Sequence, residues 1–584
     1  MKRFKACLTI ALAALVLAAS AVSCSKCGDR NDDTQLTTKV EEPALPAPAG
    51  LLADVYMATP NSSWAKLQRN IGGAVGILPA SAGGIICAAA GLDPFVAAEI
   101  DGAAPIYGVI AGDPTNAGFV IAMKLVDLRK ARAMLVDGDT ARFTPKEDAG
   151  VTELVPKGGR ETDAPVVVGL SPNGYVLVAR RSANLLELGP YVSRTLPKKP
   201  LPSDGALVFD VPRSALGAVM KPKLEQLWAS AKAFLLVEDE AMRRNHGGRA
   251  PDYGDPKAII GAADGWVTKR IGVVGDLEKM RIAVDVIEDG LSIVSTMTPV
   301  AGAGPARKWT DGMKVGDTAP FAALPVTTAA ALVMRDSEED RAEQSSALET
   351  AITSALGARL AEGDGKKLHE VLQDFTKARG DVITSALAWT EPQGIALRAP
   401  VRDADAAGRA MRGAVDLAKI TPFKELLHVR DVTSSTEEVP ELGKASVAMF
   451  AREVPRPPGA GRDGGAPATI RGPARKSELG LAWVVTGDVL SVASSETPVA
   501  TLSAVARPER KLSDEPAIKR SLAALGADAS AVLVVQPLRF DVARANLPAA
   551  PLVIALGRKN TDATFRVDVA NGLLRELARW QMGL

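Results

Sequence analysis

Ser63 and Lys66, separated by two residues in "SSWAK", have the spacing at which a lysine amine can take the proton of a serine nucleophile. Enzymes that transfer acyl groups this way also carry S-D-N and K-T-G elements, and this chain has neither. It has no G-x-S-x-G elbow either, although "HGG" at 246–248 has the composition of an oxyanion loop. Histidine occurs three times, as His246, His369 and His428. None has a second His or Cys at ligand spacing, which speaks against a zinc site. "KLHEVLQ" starts like the H-E-x-x-H metal motif, but Gln373 stands where the second histidine belongs. "GAGRDG", Gly459–Gly464, has the G-x-G-x-x-G form, yet it follows "PRPP" and opens no helix. A phosphate cradle needs amides at a helix N-terminus, so this stretch reads as a linker. "GDGKK" at 363–367 lacks the Ser or Thr of a P-loop, and "DSEED" at 336–340 lacks the alternating ligands of a calcium loop. The acidic run reads instead as a helix start capped by Asp336 or Ser337, where the helix dipole favours carboxylates. These residues name no catalytic centre, metal or cofactor. A serine hydrolase using Ser63 and Lys66 stays as the least favoured alternative.

Four cysteines remain: Cys7, Cys24, Cys27 and Cys87. Cys87 lies in the apolar "AGGIICAAAGL", where a buried thiol is the plain expectation, with a Cys27–Cys87 disulfide as the alternative. Cys24 has a different setting. The first five residues carry three positive charges, and the 17 residues from Ala6 to Val22 carry none. The small residues Ala21 and Ser23 then precede Cys24. This order resembles the signal peptide of a bacterial lipoprotein precursor over about the first 25 residues, with Ala21 where that class usually has Leu. The resemblance implies cleavage before Cys24 and lipid attachment to it. Ser25, in place of Asp, implies export to the outer membrane, with the periplasmic face favoured over the cell surface. Residues 1–23 are then a signal peptide, and 24–48, polar and ending in "EEPALPAPAG", a flexible tether.

Charge narrows the partners. The formal balance of +1 falls to −2 once residues 1–23 are gone, so no electrostatic footprint for nucleic acid exists. Aromatic residues make up 4% of the chain, too few to suggest a stacking surface for sugars or bases. The partners expected are the membrane, through the N-terminal lipid, and an envelope protein or hydrophobic ligand.

The body repeats itself in order. "LPAPAGLLADVYMATPNSSWAKLQ" from Leu45 matches "LPVTTAAALVMRDSEEDRAEQ" from Leu324 as strand then helix. Hairpins follow from Tyr107 and Ser385, turning at Asp113-Pro114 and Glu391-Pro392, each leading to an Asp-led helix at Asp127 and at Asp403 or Asp405. Further pairs start at Gly169 and Trp483, then join 206–212 to 531–537 and 282–291 to 565–573. Insertions separate the copies: a helix and polar loop near 222–262, and a Pro/Gly/Arg loop at 456–476. The expected fold is α+β, in two homologous halves, 49–317 and 318–584. Each is an antiparallel sheet of hairpins with helices on one face. This order resembles duplicated α+β secreted bacterial proteins of unknown function, a resemblance that transfers no functional residue. At the C-terminus, Leu573, Leu574, Leu577 and Trp580 share one helical face. They read as a lid on the sheet, with a membrane-grazing helix as the alternative. The expected function is a membrane-anchored envelope lipoprotein that binds or scaffolds without catalysis. A carrier or chaperone for lipid or another hydrophobic ligand is the first alternative.

Overall fold

The computed structural model describes residues 43–72, 79–92, 94–137, 141–158, 166–245, 256–388, 393–454, 475–540 and 550–582. The chain forms two compact units. The first holds residues up to Lys223, Gly272–Arg307 and Arg566–Leu584; the second holds Leu224–Ile271 and Lys308–Phe565. Helices and antiparallel strands occur in both, so the class is α+β.

The first unit contains β1 (Leu51–Met57), β2 (Ile106–Ala111), β3 (Gly118–Lys124), β4 (Phe143–Asp148) and β5 (Val151–Pro156). It continues with β6 (Val167–Ser171), β7 (Tyr175–Ala179), β8 (Leu207–Pro212), β9 (Leu277–Ile287) and β10 (Gly290–Pro299). Antiparallel pairing places them in the order 4-5-6-7-3-2-1-8-9-10. The second unit has β11 (Ala330–Arg335), β12 (Val382–Ala388), β13 (Gly394–Pro400), β14 (Val429–Val439) and β15 (Gly443–Val454). It continues with β16 (Arg475–Thr486), β17 (Val489–Ser495), β18 (Ala529–Val535), β19 (Leu552–Lys559) and the start of β20 (Asp562–Ala570). Its order is 14-15-16-17-13-12-11-18-19-20. Raising each number of the first list by ten gives the second.

Four of the five sequence pairings fall on corresponding elements of these two lists. The fifth does not. Residues 282–291 end β9 and start β10, whereas 565–573 end β20 and run into the helix Asn571–Met582. The shared Val-Asp-Val reflects a common strand composition there, not a common position. The capping alternatives also resolve. Ser337 caps the helix Glu338–Leu356 in a reciprocal box with Asp340, and Asp403, not Asp405, caps Ala404–Leu417. At the hairpin tips Gly174 and Gly487 sit at φ 76° and 60°, where a side chain would be strained.

Helices on one face were expected, but the sheet of the first unit is apolar on both. One face packs Tyr56, Val109, Val120 and Leu177 under the helix Ser182–Arg194, through Leu185, Leu188 and Val192. The other packs Met123, Val176 and Val178 against Trp64 and Leu67 of the helix Pro60–Ile71, and against Ile86 and Cys87 of Ala82–Ala89. The reason lies in strands such as "YVLVA", whose five residues are all buried: an antiparallel strand without a polar side must be covered twice. The C-terminal helix also packs within this unit, with Leu574 against that second core.

Candidate functional site: the Asp54 network

Alternation along β1 sends Asp54 and Tyr56 to the face covered by the helix Ser182–Arg194. Register then assembles a charged row. Asp54 lies opposite Asp210 in the β1–β8 pair, and Asp210 lies opposite Arg281 in the β8–β9 pair. Two carboxylates directly across a ladder repel, so each needs its own cation. Arg281 grips Asp210 with both arms of its guanidinium, Nε to Oδ1 at 2.6 Å and Nη2 to Oδ2 at 2.9 Å. Asp54 accepts from Lys199 Nζ at 2.7 Å and from the Tyr191 hydroxyl at 3.1 and 3.2 Å. Lys199 also donates to the Tyr191 oxygen at 2.8 Å, closing a triangle.

Aromatic rings border this row. Tyr56 meets Tyr107 edge-on at 6.3 Å, and Tyr107 meets Tyr175 the same way at 6.3 Å. Lys124 sits over the Tyr175 ring at 4.8 Å. Four of the five tyrosines in the chain are therefore gathered in one place. Burial pushes the Tyr175 phenol up to about 12, and raises Tyr107 and Tyr191 as well. Tyr56 is raised by burial and then by the charges of Asp54 and Asp210. For Lys199, burial pulls the amine down, but its bonds to Asp54 and Tyr191 outweigh that and leave it raised. These phenols and this amine keep their protons at neutral pH.

The network also lies near Leu45, close to the first of the described residues. The Leu45 amide donates to Thr195 Oγ1 at 2.8 Å, and that hydroxyl donates back to the Leu45 carbonyl at 3.1 Å. Leu45 packs against the Tyr-rich core, and Lys199 follows Thr195 by four residues.

The residues singled out in the sequence are placed as follows. Cys24, Cys27, His246 and the Gly459–Gly464 linker lie outside the described residues. Cys87 is a buried free thiol that burial pushes up to about 12. Ser63 is buried with its hydroxyl 3.4 Å from Thr59 Oγ1, while Lys66, on the same helix, is exposed. No hydrogen bond joins Ser63 to Lys66 among the described residues. His369 faces Glu349, with Nδ1 3.0 Å from both carboxylate oxygens. His428 holds a left-handed backbone at φ 54° and lines an open cavity of about 720 Å³ with Arg359, Lys424, Arg430 and Glu453. Asp336 is buried and binds Arg341 and Arg379, so the acidic run does begin a helix. Among the described residues no cluster of three metal-ligating side chains occurs, and no helix is long and apolar enough to cross a membrane.

Sequence reading missed Asp54, Tyr191, Lys199, Asp210 and Arg281. The available signal was an aspartate inside each of two apolar strands, "LLADVYM" and "LVFDVP". A carboxylate at such a position must find a cation, although its identity is not written nearby. Comparison of the chain with protein-family models, with curated proteins and with solved structures finds no match.

Proposed function

We propose that the protein is a lipid-anchored scaffold of the cell envelope, held through Cys24 on the periplasmic face of the outer membrane, with a binding rather than catalytic role. The observation that carries this reading is the N-terminal order: three cationic residues, 17 uncharged ones ending in Ala21-Val22, then Ser23-Cys24. A lipidated cysteine carrying two or more acyl chains gives firm attachment, each buried methylene contributing about 0.8 kcal/mol. The clamp of Leu45 by Thr195 supports the same reading, because it ties the end of the tether to the first unit by two hydrogen bonds. The strand order common to both units supports an origin by duplication.

A carrier of hydrophobic ligands would need an apolar cavity. One open cavity of the second unit is edged by Arg359, Lys424 and Arg430, cations that do not suit an acyl chain. Labelling with a palmitate analogue tests the anchor. Wild-type chain is expected to take up label, and Cys24→Ser to take up none and accumulate as uncleaved precursor. Normal cleavage of Cys24→Ser with full membrane retention would overturn the reading. Native mass spectrometry of residues 28–584 tests the role: a clean mass fits a scaffold, and a co-purified lipid would replace it with the carrier.

A further inference from the structure

The helix Lys221–Asn245 is apolar on a side that nothing described covers. Its inner side is fixed to the helix Pro256–Gly275, where Asp264 accepts from Trp228 Nε1 and Lys232 Nζ, both at 2.6 Å. Its outer side leaves Leu227 58%, Phe234 62% and Val237 64% exposed, beside Leu224 and Leu235. Positions 224, 227, 231, 234 and 238 recur at steps of three and four, which makes one continuous stripe along the helix. These side chains offer on the order of 500 Å², taking about 150–250 Å² for a large exposed side chain. A patch of that size is about the largest a monomer exposes, and such patches are often interaction sites. It matches the apolar share of a standard interface, which buries about 800 Å² on each partner.

The order of residues along the stripe identifies the occupant. Outward from the Ser230–Ala231 bond it reads the same in both directions by character. Leu227 is balanced by Phe234 on the stripe itself; at its edges Leu224 is matched by Val237, and the cation Lys223 by the anion Glu238. We infer that the protein forms a twofold dimer by antiparallel apposition of this helix with that of a second copy, the axis passing beside Ser230 and Ala231. The small residues at the centre let the two backbones approach. Leu227 of each copy then meets Phe234 of the other, and Lys223 meets Glu238 at both ends. An isologous contact of this kind closes on itself, so it ends at two copies. Within one helix Lys223 and Glu238 are about 22 Å apart, so they cannot pair in the same chain. Lys223 also lies near Asp113, whose carboxyl it helps to hold low after the hydrogen bonds from Thr115. That cation is therefore shared rather than idle.

Sedimentation equilibrium of the mature chain, residues 24–584 with Cys24→Ser and Cys27→Ser, tests the dimer. A reversible dimer is expected, and Leu227→Glu should weaken it at least ~100-fold, since it puts a charge at the centre of the contact. Lys223→Glu and Glu238→Lys are each expected to weaken it roughly tenfold. Combined in one chain they restore opposite charges across the axis, and the affinity should return to within about threefold of wild type. Oxidation of Ser230→Cys should give a linked dimer, and Ala229→Cys, one step along and on another side of the helix, should not. All these positions are exposed or half-exposed, so the variants keep the fold, which circular dichroism checks. A chain that stays monomeric at roughly 100 µM overturns the inference. So does a double charge reversal no better than either single one. A monomer that binds phosphatidylcholine vesicles through Leu227 would assign the stripe to the bilayer instead.

Discussion

Asp54 and Asp210 face each other across two buried strands, and the cation given to each decides whether the sheet tolerates them. Removing a donor from the Asp54 carboxylate leaves it in an apolar setting with less compensation. Lys199→Met is expected to cost about 2 kcal/mol, less than a fully buried pair would, because the Lys199 side chain is 40% exposed. Tyr191→Phe, which removes one neutral hydrogen bond, should cost about 1 kcal/mol. Urea midpoints of the mature chain rank the two, and a smaller loss for Lys199→Met than for Tyr191→Phe would refute the assignment of the lysine. The tyrosines make a second residue-scale prediction. Burial raises all four, Tyr175 to about 12, so the folded phenols bind protons more tightly than unfolded ones near 10. Their contribution to stability is complete below about pH 10 and is lost as pH rises toward their folded values. Tyrosinate absorbance should therefore appear together with loss of tertiary structure. A simple titration of all tyrosines centred near 10 in a still-folded chain would contradict the buried cluster.

Elements in this chain are specified largely by local chemistry. Ser337 and Asp340 exchange hydrogen bonds at the start of Glu338–Leu356, and three acidic residues occupy its first turn. Ser337→Ala should lower stability by about 1 kcal/mol, read from the thermal transition, while Glu339→Gln, outside the box, should cost less. The same reasoning explains why helix starts and hairpin tips could be placed from the sequence: caps and turn residues act within three or four positions. It also explains the failed fifth pairing. "VDV" describes any half-buried strand, and nothing in three residues separates β9 from β20. The long helix Lys221–Asn245 stands apart from both cases. One side binds Asp264 through Trp228 and Lys232 while another exposes Leu224, Leu227 and Phe234, a pattern that fits a helix covered on two sides.

At the scale of the whole molecule, the proposed anchor, the body and the inferred dimer stripe are separate devices in one chain. The Cys24→Ser and sedimentation tests probe the first and third independently, because either can fail while the other holds. The sequence by itself determined the α+β class, the hairpin order and most caps, since strand alternation, turns and helix starts are short-range properties of the backbone and its nearest side chains. It also pointed to Cys24, because a signal-type segment is a linear feature. Tertiary structure decided the rest. It covered the first sheet on both faces and brought Asp54, Tyr191, Lys199, Asp210 and Arg281 together from positions up to 227 residues apart. It buried Ser63 away from exposed Lys66 and left one side of Lys221–Asn245 open. Charge pairing acts over a few ångströms in space and is indifferent to separation along the chain, so such partners become visible only when register places the strands side by side.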